Sequence, residues 1–332
     1  MPQLWNGWII LPVLAVAVIG TLVWKKKRRV YEKVGYVSKM FFFPVKSIKG
    51  YEVTEGKCTK FGLEVNGLLE RSFMLIDENN VLLSQRQAPK LALLAPQIID
   101  SKLIISGPDV DPLTVDIESS PKPGDKIIEC QLHSDVVHVI DCGDKVAKWF
   151  QQYLKRPNIR LVRFFPENPK RNYVQNHPFY LNLRRKNPIS LQDLSAFHVM
   201  SQASIDDLNL RIGEKKISVW NFRPSVLVDG CAPYAEDSWE HMRTGKEAEM
   251  VNVLPITRCL LTTVDPETGI LTSKEPLVTL RKYRIPKDPE MVKKTGSIPC
   301  LGSACFILKT GTIRVNDEIH ATVTQPFTTI QK

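Results

Sequence analysis

Two arginine-containing segments and one cysteine are the parts of this chain best suited to chemistry. Residues 221–231 read Asn-Phe-Arg-Pro-Ser-Val-Leu-Val-Asp-Gly-Cys, and Thr257-Arg258-Cys259 precedes an apolar run. A thiol beside guanidinium groups has a lowered pKa, so its thiolate can bind a soft metal or attack an electrophile. The stretch from Asn221 to Gly269 therefore indicates parts of one anionic site, and leaves open which of these two reactions the thiol serves.

Two further basic segments could contribute to such a site together with Arg223 of the first one. Lys46 and Ser47 follow a predicted strand, where a lysine, a hydroxyl and turn amides can form an anion cradle, although a solvated turn is the plainer interpretation of that segment alone. Arg71 stands at the mouth of another predicted strand, where half of a surface ion pair is the plainer interpretation. Arg223 lies between Phe222 and Pro224, and a buried arginine there would need a partner such as a phosphate or a pterin oxygen.

Several common sites are excluded by their missing motifs. The sequence contains no G-x-G-x-x-G before a helix, no Walker A loop, no G-x-S-x-G elbow and no H-E-x-x-H. His133 and His138 alternate with apolar residues in predicted strands, which favours structural roles for both. A cofactor must therefore be held by an unusual set of Arg, Ser, Asn and Cys side chains.

Composition indicates a globular protein from a reducing compartment. The 332 residues are 43% hydrophobic and 24% charged, and the net charge is +10. Five of the 45 basic residues lie in Lys25–Arg29, so the remainder, with 35 acidic residues, is only mildly basic and does not argue for nucleic acid. Seven irregularly spaced cysteines without a C-x-x-C argue against structural zinc or iron–sulfur sites.

The N-terminal segment predicts a membrane anchor. Leu4–Trp24 is uncharged and mostly apolar, long enough for one spanning helix, with Trp5, Trp8 and Trp24 near its ends. The basic cluster Lys25–Arg29 follows it, so the positive-inside rule places the bulk of the chain in the cytosol. A cleaved secretory signal is the weaker alternative, because its charges would precede the apolar run.

From Gly35 onwards the pattern is typical of a β-rich α+β fold, with a barrel expected in the second half. Helices are predicted at Asp144–Leu154 and at Gln202–Ile212, the latter capped by Ser201 with Ala203, Leu208 and Ile212 on its inner face. Residues 166–188 lack periodicity and predict a linker or mobile loop. Strands are predicted at Val37–Val45, Ser72–Ile76, Val81–Leu83, Lys102–Ser106, Leu113–Ile117, Lys126–Leu132, Val136–Ile140, Arg160–Phe165, Phe197–Met200, Phe222 with Val226–Val228, Glu249–Pro255, Cys259–Val264, Cys305–Leu308 and Gly311–Val315.

Four segments together carry a resemblance to a known family. They are Pro44-Val-Lys-Ser47, Asn221-Phe-Arg-Pro224, Ala235-Glu-Asp-Ser-Trp239 and Thr257-Arg-Cys-Leu-Leu-Thr-Thr-Val-Asp-Pro266. They are similar to the MOSC family, and in particular to the mitochondrial amidoxime-reducing components. The likeness runs from about Tyr36 to the C-terminus, with the apolar N-terminal segment in the same place.

The resemblance implies a fold, a cofactor and a set of site residues. It implies an N-terminal membrane anchor with its basic flank (residues 1–30), a β-rich MOSC-N region (31–165) and a MOSC β-barrel (166–332). It implies a molybdenum–pterin cofactor (Mo-molybdopterin) whose metal binds the Cys259 thiolate, which would make Cys259 the catalytic residue, while Cys231 is expected to be structural. The cofactor-binding positions it implies are Lys46, Ser47, Arg71, Asp193, Ser195, Asn221, Arg223, Thr257 and Arg258.

The resemblance also implies a reaction and partners. The expected reaction is the reduction of amidoximes, N-hydroxyguanidines, hydroxylamines and N-hydroxylated bases, with electrons from NADH through cytochrome b5 reductase and cytochrome b5. A cofactor carrier without turnover and a membrane-tethered scaffold are the alternatives. The mitochondrial outer membrane is the expected location, with the endoplasmic reticulum or peroxisomal membrane as alternatives. Basic residues that could face an acidic cytochrome are Lys155, Arg156, Arg163, Lys170, Arg171, Arg184 and Arg185.

Overall fold

Strands dominate the fold. A computed structural model describes residues 29–117, 120–166, 171–172, 187–213, 217–271, 274–327 and 329. The strands in this part of the chain are β1 (Glu32–Phe42), β2 (Tyr51–Val53), β3 (Glu55–Thr59), β4 (Gly62–Val65), β5 (Leu68–Leu69), β6 (Phe73–Ile76), β7 (Leu82–Leu83), β8 (Ala95–Ile99), β9 (Lys102–Gly107), β10 (Val110–Asp116), β11 (Ile127–Leu132), β12 (Asp135–Asp141), β13 (Arg160–Arg163), β14 (Arg171–Asn172), β15 (Phe197–Ser201), β16 (Val226–Asp229), β17 (Trp239–Thr244), β18 (Ala248–Thr257), β19 (Cys300–Lys309), β20 (Gly311–Arg314) and β21 (Glu318–Val323).

Helices are short and fewer. The α-helices of the described residues are α1 (Asp144–Leu154), α2 (Gln202–Ile212), α3 (Leu277–Tyr283) and α4 (Pro289–Thr295). Single 3₁₀ turns occur at Pro89–Leu93, Val219–Asn221, Ala235–Ser238 and Leu260–Thr263.

A closed barrel of seven strands forms the centre of the molecule. Its strands follow the order β16-β15-β19-β18-β17-β21-β1, and pairing of β1 with β16 closes the ring. The pairs Met40↔Val226 and Lys33↔His320 show β1 antiparallel to both of its neighbours, β16 and β21. The sequence predicted a barrel in the second half of the chain, and the structure shows that one of its strands comes from the first half.

The barrel strands carry apolar side chains that pack together in a buried core. Val37, Val228, Trp239, Phe306 and Ala321 come from five different barrel strands and belong to one buried cluster. Removing such side chains from water is the main favourable term of folding, at about 25 cal/mol per Å² of apolar surface. Residues Cys300 to Phe306 of β19 are all buried, as expected for a strand covered on both faces.

The described residues also form three smaller sheets. One has the order β11-β12-β13-β6-β7, with β14 paired to β12; another is β10-β9-β8; the third is β20-β3-β4-β5. Helix α1 packs against β13 and β10. The predicted β-rich class is therefore confirmed.

Both predicted helices are confirmed at their predicted bounds, α1 and α2. Ser201 caps α2, its hydroxyl accepting the Ser204 N–H at 3.1 Å. The predicted inner face of α2 was partly wrong, because Ile205 and Leu208 are buried whereas Ala203 and Ile212 are only half-buried.

Two predicted strand segments are wrong. Cys259–Val264 forms a 3₁₀ turn at Leu260–Thr263, because the hydroxyls of Thr262 and Thr263 donate to carbonyls three residues back. Phe222 adopts helical backbone angles after another 3₁₀ turn, and the strand begins only at Val226. Within the predicted loop 166–188, Arg171–Asn172 forms the short strand β14.

The predicted anchor, Leu4–Trp24, lies outside the described residues. Among the residues that the structure does describe, no helix has both the length and the apolar character needed to cross a membrane.

Candidate functional site

All ten residues that the sequence indicated for a site line one cavity. Its volume is about 170 Å³. The ten are Lys46, Ser47, Arg71, Asp193, Ser195, Asn221, Arg223, Thr257, Arg258 and Cys259. Residues up to 213 positions apart in sequence, from Lys46 to Cys259, thus meet at a single place.

The barrel brings these residues together through the ends of its strands. Lys46 and Ser47 follow β1, Asp193 and Ser195 precede β15, and Asn221 and Arg223 precede β16. Thr257 ends β18, so Arg258 and Cys259 leave the sheet there, while Arg71 directly precedes β6 of the neighbouring sheet. The site therefore lies where barrel connections meet a second sheet.

Three of the cavity residues have a left-handed backbone. Ser47, Arg71 and Arg223 have φ values of 68°, 52° and 59°. Residues other than glycine, asparagine and aspartate rarely adopt left-handed backbone angles, and each instance costs on the order of 1 kcal/mol or more. Such strain gathers at functional sites, where the surrounding structure enforces it.

One wall of the cavity holds two stacked arginines. The guanidinium carbons of Arg223 and Arg71 lie 4.2 and 5.1 Å from the ring centre of the fully buried Phe43. Arg71 forms an ion pair with the buried Glu70, which also accepts a hydrogen bond from Ser225 Oγ at 2.8 Å. This pairing keeps two cations side by side in a buried place.

Arg223 has hydrogen-bonding capacity to spare. Its Nη1 donates to the Ile48 carbonyl at 2.6 Å, while its buried Nη2 has no partner among the described residues. Burial, and then the charge of Arg71, lowers the pKa of Arg223 to about 9. A buried donor without a partner is costly, and an anion in the cavity would satisfy it.

A lysine, a carboxylate and a histidine form a second cluster in the lining of the cavity. Lys46 Nζ lies 2.5 Å from Asp193 Oδ1, and His133 Nε2 lies 2.9 Å from the same oxygen. Lys46 is 5% exposed, and this burial lowers its pKa to about 8 although Asp193 acts to raise it. The side chain of Asp193 is 60% exposed, which places this cluster at the mouth of the cavity.

Cys259 is the cysteine that the cavity exposes. It precedes the 3₁₀ turn Leu260–Thr263, and its carbonyl accepts the Thr262 N–H at 3.0 Å. All seven cysteines lie within the described residues, and the other six are buried or half-buried. Burial raises the pKa of each of those six thiols, Cys231 among them to about 11.

Sequence patterns missed several cavity residues. His133 was expected in a strand, but lies in the two-residue turn between β11 and β12 and lines the cavity. His198, Arg86 and Gln192 also line it, and Glu70 supports it from behind. Gln192 and Glu70 stand next to the predicted residues Asp193 and Arg71, and that adjacency was the one signal that could have found them. Arg86, His133 and His198 lie far in sequence from the segments that resemble the family, so no spacing links them to the site.

The basic residues expected to face a partner separate into two groups. Arg163 and Arg171 are buried and paired, with Asp125 at 3.0 Å and with Asp135 at 2.7 Å. Lys155 remains on the surface at the end of α1, next to the half-buried Arg156. Lys170, Arg184 and Arg185 lie outside the described residues. Arg163 and Arg171 therefore serve the fold rather than a docking surface.

Comparison with known proteins places this geometry in a family. The MOSC N-terminal beta barrel domain matches residues 34–157, and the MOSC domain matches residues 186–320. Mitochondrial amidoxime-reducing component 1 of Mus musculus is 37% identical over 320 residues, covering 95% of this chain and 92% of the mouse protein. Mitochondrial amidoxime reducing component 2 of Rattus norvegicus is 36% identical over 323 residues, covering 96% of this chain and 94% of the rat protein.

Component 1 of Homo sapiens is also similar, at 35% identity over 321 residues, covering 95% of this chain and 93% of the human protein. Identity of this level over nearly the full length of both chains, together with matches to both domains, identifies the family. This chain belongs to the MOSC-domain family of the mitochondrial amidoxime-reducing components.

Proposed function

We propose that this protein is a molybdenum-cofactor-dependent reductase of N-hydroxylated compounds. The substrates would be amidoximes, N-hydroxyguanidines, hydroxylamines and N-hydroxylated bases, and the products amidines and amines. The observation that carries the proposal is the exposed thiol of Cys259 beside a cavity whose buried Arg223 has an unpartnered donor.

The residues of the cavity fit the chemistry of the molybdenum–pterin cofactor. That group carries an anionic phosphate, a pterin edge that forms hydrogen bonds, and a metal with sulfur ligands that favours a further soft thiolate. Arg223 Nη2 offers a free donor to an anion, and the charges of the buried Lys46 and the half-buried Arg71 reinforce it. Cys259 offers the thiolate.

Each part of the cavity then has a role. When bound, the cofactor would supply two electrons and accept the oxygen atom of an N–OH group. Cys259 would hold the metal, while Lys46, Arg71 and Arg223 would neutralise negative charge without relying on water. The left-handed backbone at Ser47, Arg71 and Arg223 would fix these groups before the cofactor arrives.

Electron delivery and location belong to the same proposal. We propose that electrons come from NADH through cytochrome b5 reductase and cytochrome b5, and that the protein lies on the cytosolic face of the mitochondrial outer membrane, held by Leu4–Trp24. The relatives carry the word mitochondrial in their names, which supports the organelle. Protease treatment of intact mitochondria should remove the cytosolic part; protection of the whole chain would contradict this placement.

The decisive experiment combines cofactor content with turnover. The full-length protein, made in a host that produces the cofactor, should contain about one molybdenum and one pterin per chain. With cytochrome b5, its reductase and NADH it should reduce benzamidoxime. Cys259→Ala should lose at least about a hundredfold in turnover, since the metal ligand is removed.

The matched control is Cys231→Ala. Cys231 is half-buried and does not line the cavity, so its loss should leave both cofactor content and turnover near those of the wild type. Full activity of Cys259→Ala would sink the proposal. Stoichiometric cofactor without benzamidoxime turnover in the wild type would instead favour a cofactor carrier.

A further inference from the structure

The guanidinium group of Arg258 donates hydrogen bonds to other residues of this chain. Its Nε donates to the Leu301 carbonyl at 2.9 Å, its Nη2 donates to the same oxygen, and its Nη1 donates to the Phe222 carbonyl at 3.4 Å. Arg258 is only 6% exposed. It therefore ties the backbone beside Cys259 to β19 and to the segment that precedes β16.

A neighbouring histidine completes this arrangement. His198 Nε2 in β15 lies 2.7 Å from Arg258 Nη2. A guanidinium group can only donate, so Nε2 must accept and the ring proton must sit on Nδ1. Burial and the adjacent charge of Arg258 hold the pKa of His198 well below its usual range, which keeps the imidazole neutral and able to accept.

The backbone of Arg223 and Phe222 also lies near the ring of His198. Hydrogen bonding to that backbone acts to raise the pKa of His198, against the larger lowering by burial and by the charge of Arg258. His198 therefore lies beside both Arg258 and the segment that precedes β16. Residues of both segments, Arg258 and Arg223 among them, line the cavity.

The turn that carries the thiol is held from a second side by Asn221. Its amide nitrogen donates to the carbonyls of Thr262 and Val264 at 3.1 and 3.2 Å, and its Oδ1 accepts the Ser218 N–H at 3.0 Å. The thiol of Cys259 is therefore exposed while the backbone around it is anchored by two buried side chains, Arg258 and Asn221.

We infer that His198 is a positioning residue for Cys259, acting through Arg258. By accepting one guanidinium hydrogen bond it fixes Arg258, and Arg258 in turn fixes the turn on which the thiol stands. The inference rests on the proposed function, in which Cys259 is the metal ligand. The hydrogen bonds from which it is argued are formed by this chain without the cofactor.

A pair of histidine variants tests this directly. Glutamine can place a carbonyl oxygen where His198 Nε2 lies, whereas the shorter asparagine reaches only the Nδ1 side of the ring. Both are neutral and polar. Hydrogen exchange of peptides covering residues 257–264 would be measured in the cofactor-free full-length protein. His198→Asn should speed exchange there about tenfold, which corresponds to about 1.4 kcal/mol. His198→Gln should stay within about threefold of the wild type.

The control is His138→Asn. His138 lies in β12, which is not a barrel strand, so this substitution should leave hydrogen exchange of residues 257–264 unchanged. In cofactor-loaded protein, His198→Asn should also release molybdenum faster than His198→Gln. Equal behaviour of the two His198 variants, whether both stay protected or both lose protection, overturns the inference. Because the exchange measurement needs no cofactor, a wild type without molybdenum would refute the proposed function without affecting this test.

Discussion

Arg223 shows how a single residue can be stabilising for a ligand and costly for the fold. Its φ of 59° and its unpartnered Nη2 each weaken the folded chain, by on the order of 1 to 3 kcal/mol. Stacking on Phe43 and one hydrogen bond to the Ile48 carbonyl act in the opposite direction. An anion in the cavity that accepts a hydrogen bond from Nη2 would remove the cost of the unsatisfied donor.

Replacing Arg223 should therefore separate binding from stability. In Arg223→Met we expect the affinity of the cofactor-free protein for inorganic phosphate to fall at least about tenfold, since a charge-assisted hydrogen bond is lost. The free energy of unfolding should stay within about 1 kcal/mol of the wild type, because a buried charge with an unsatisfied donor is removed as well. Isothermal titration and urea unfolding measure the two quantities.

Arg211→Met is the matched control, because Arg211 lies on the surface of α2 and pairs with Asp207 at 2.6 Å. Its phosphate affinity should equal that of the wild type. A normal phosphate affinity in Arg223→Met would show that the free donor does not serve an anion.

The pKa of Lys46 predicts how anion binding depends on pH. Lys46 is a cation below about pH 8 and loses its proton above it, whereas an unfolded lysine keeps its proton to about 10.5. Phosphate affinity should therefore fall as pH rises from 8 to 9.5, by up to about tenfold per pH unit. Between pH 8 and 10.5 the folded state binds fewer protons than the unfolded state, so this group makes stability rise with pH.

Titrations at several pH values on wild type and Lys46→Met would test this. The variant should bind phosphate weakly at pH 7 and lose little further affinity up to about pH 8.5, because Arg223, with a pKa of about 9, keeps most of its charge over that range. An equally steep decline of both proteins below pH 8.5 would assign the pH dependence to a group other than Lys46.

At the scale of elements, the sequence predicted which residues lie together better than it predicted the elements that carry them. The family likeness supplied ten residues, and all ten line one cavity. The apolar residues Leu260 and Leu261 predict a strand after Cys259. The hydrogen bonds that the hydroxyls of Thr262 and Thr263 form with backbone carbonyls favour a 3₁₀ turn instead, and the sequence pattern does not show them.

His198 could not have been found by pattern alone. It stands in a short, fully buried strand, where a histidine is ordinarily a satisfied core residue. Its partner Arg258 lies 60 residues away, and only strand pairing through β19 brings the two together. Tertiary pairing of this kind leaves no local signal.

Strand β19 makes room for that pair through Gly302. Its φ is 75°, and a Cβ atom there would lie 2.5 Å from His198 Nε2 and 3.2 Å from Arg258 Nη2. Gly302→Ala should therefore lower the free energy of unfolding by about 2 kcal/mol or more, through backbone strain and displacement of the pair. It should also lower molybdenum content.

Gly213→Ala provides the comparison, because Gly213 has a φ of 87° but its Cβ would meet no atom of the described residues within 4 Å. It should cost about 1 kcal/mol of stability, the strain alone, and leave cofactor content unchanged. Equal effects of the two substitutions in urea unfolding and metal analysis would mean that the contact with His198 is unimportant.

For the molecule as a whole, the barrel makes the two halves of the chain interdependent. β1 pairs with β16 on one side and with β21 on the other, so without it the ring has two open edges. A chain beginning at residue 31 should unfold cooperatively in urea, because it keeps β1. A chain beginning at residue 43 should lose the cooperative transition or shift its midpoint far downward.

The chain beginning at residue 31 is the control for loss of the N-terminal segment, and near-ultraviolet circular dichroism would report packing around Trp239 in both. An unchanged transition in the chain beginning at residue 43 would show that the barrel tolerates an opening. The second half of the chain would then fold independently of the first half.

Because the first strand closes the barrel, it must wait for its last partner strand to be synthesised. Lys33 of β1 pairs with Glu318 at the start of β21, 285 residues later. At 5 to 20 residues per second, a ribosome needs about 15 to 60 s to make that interval. During this time β1 has emerged with one or both hydrogen-bonding edges unoccupied, and such edges readily pair with other chains. Yield of native protein should therefore depend on protection of the nascent chain by chaperones, even where the finished barrel is stable.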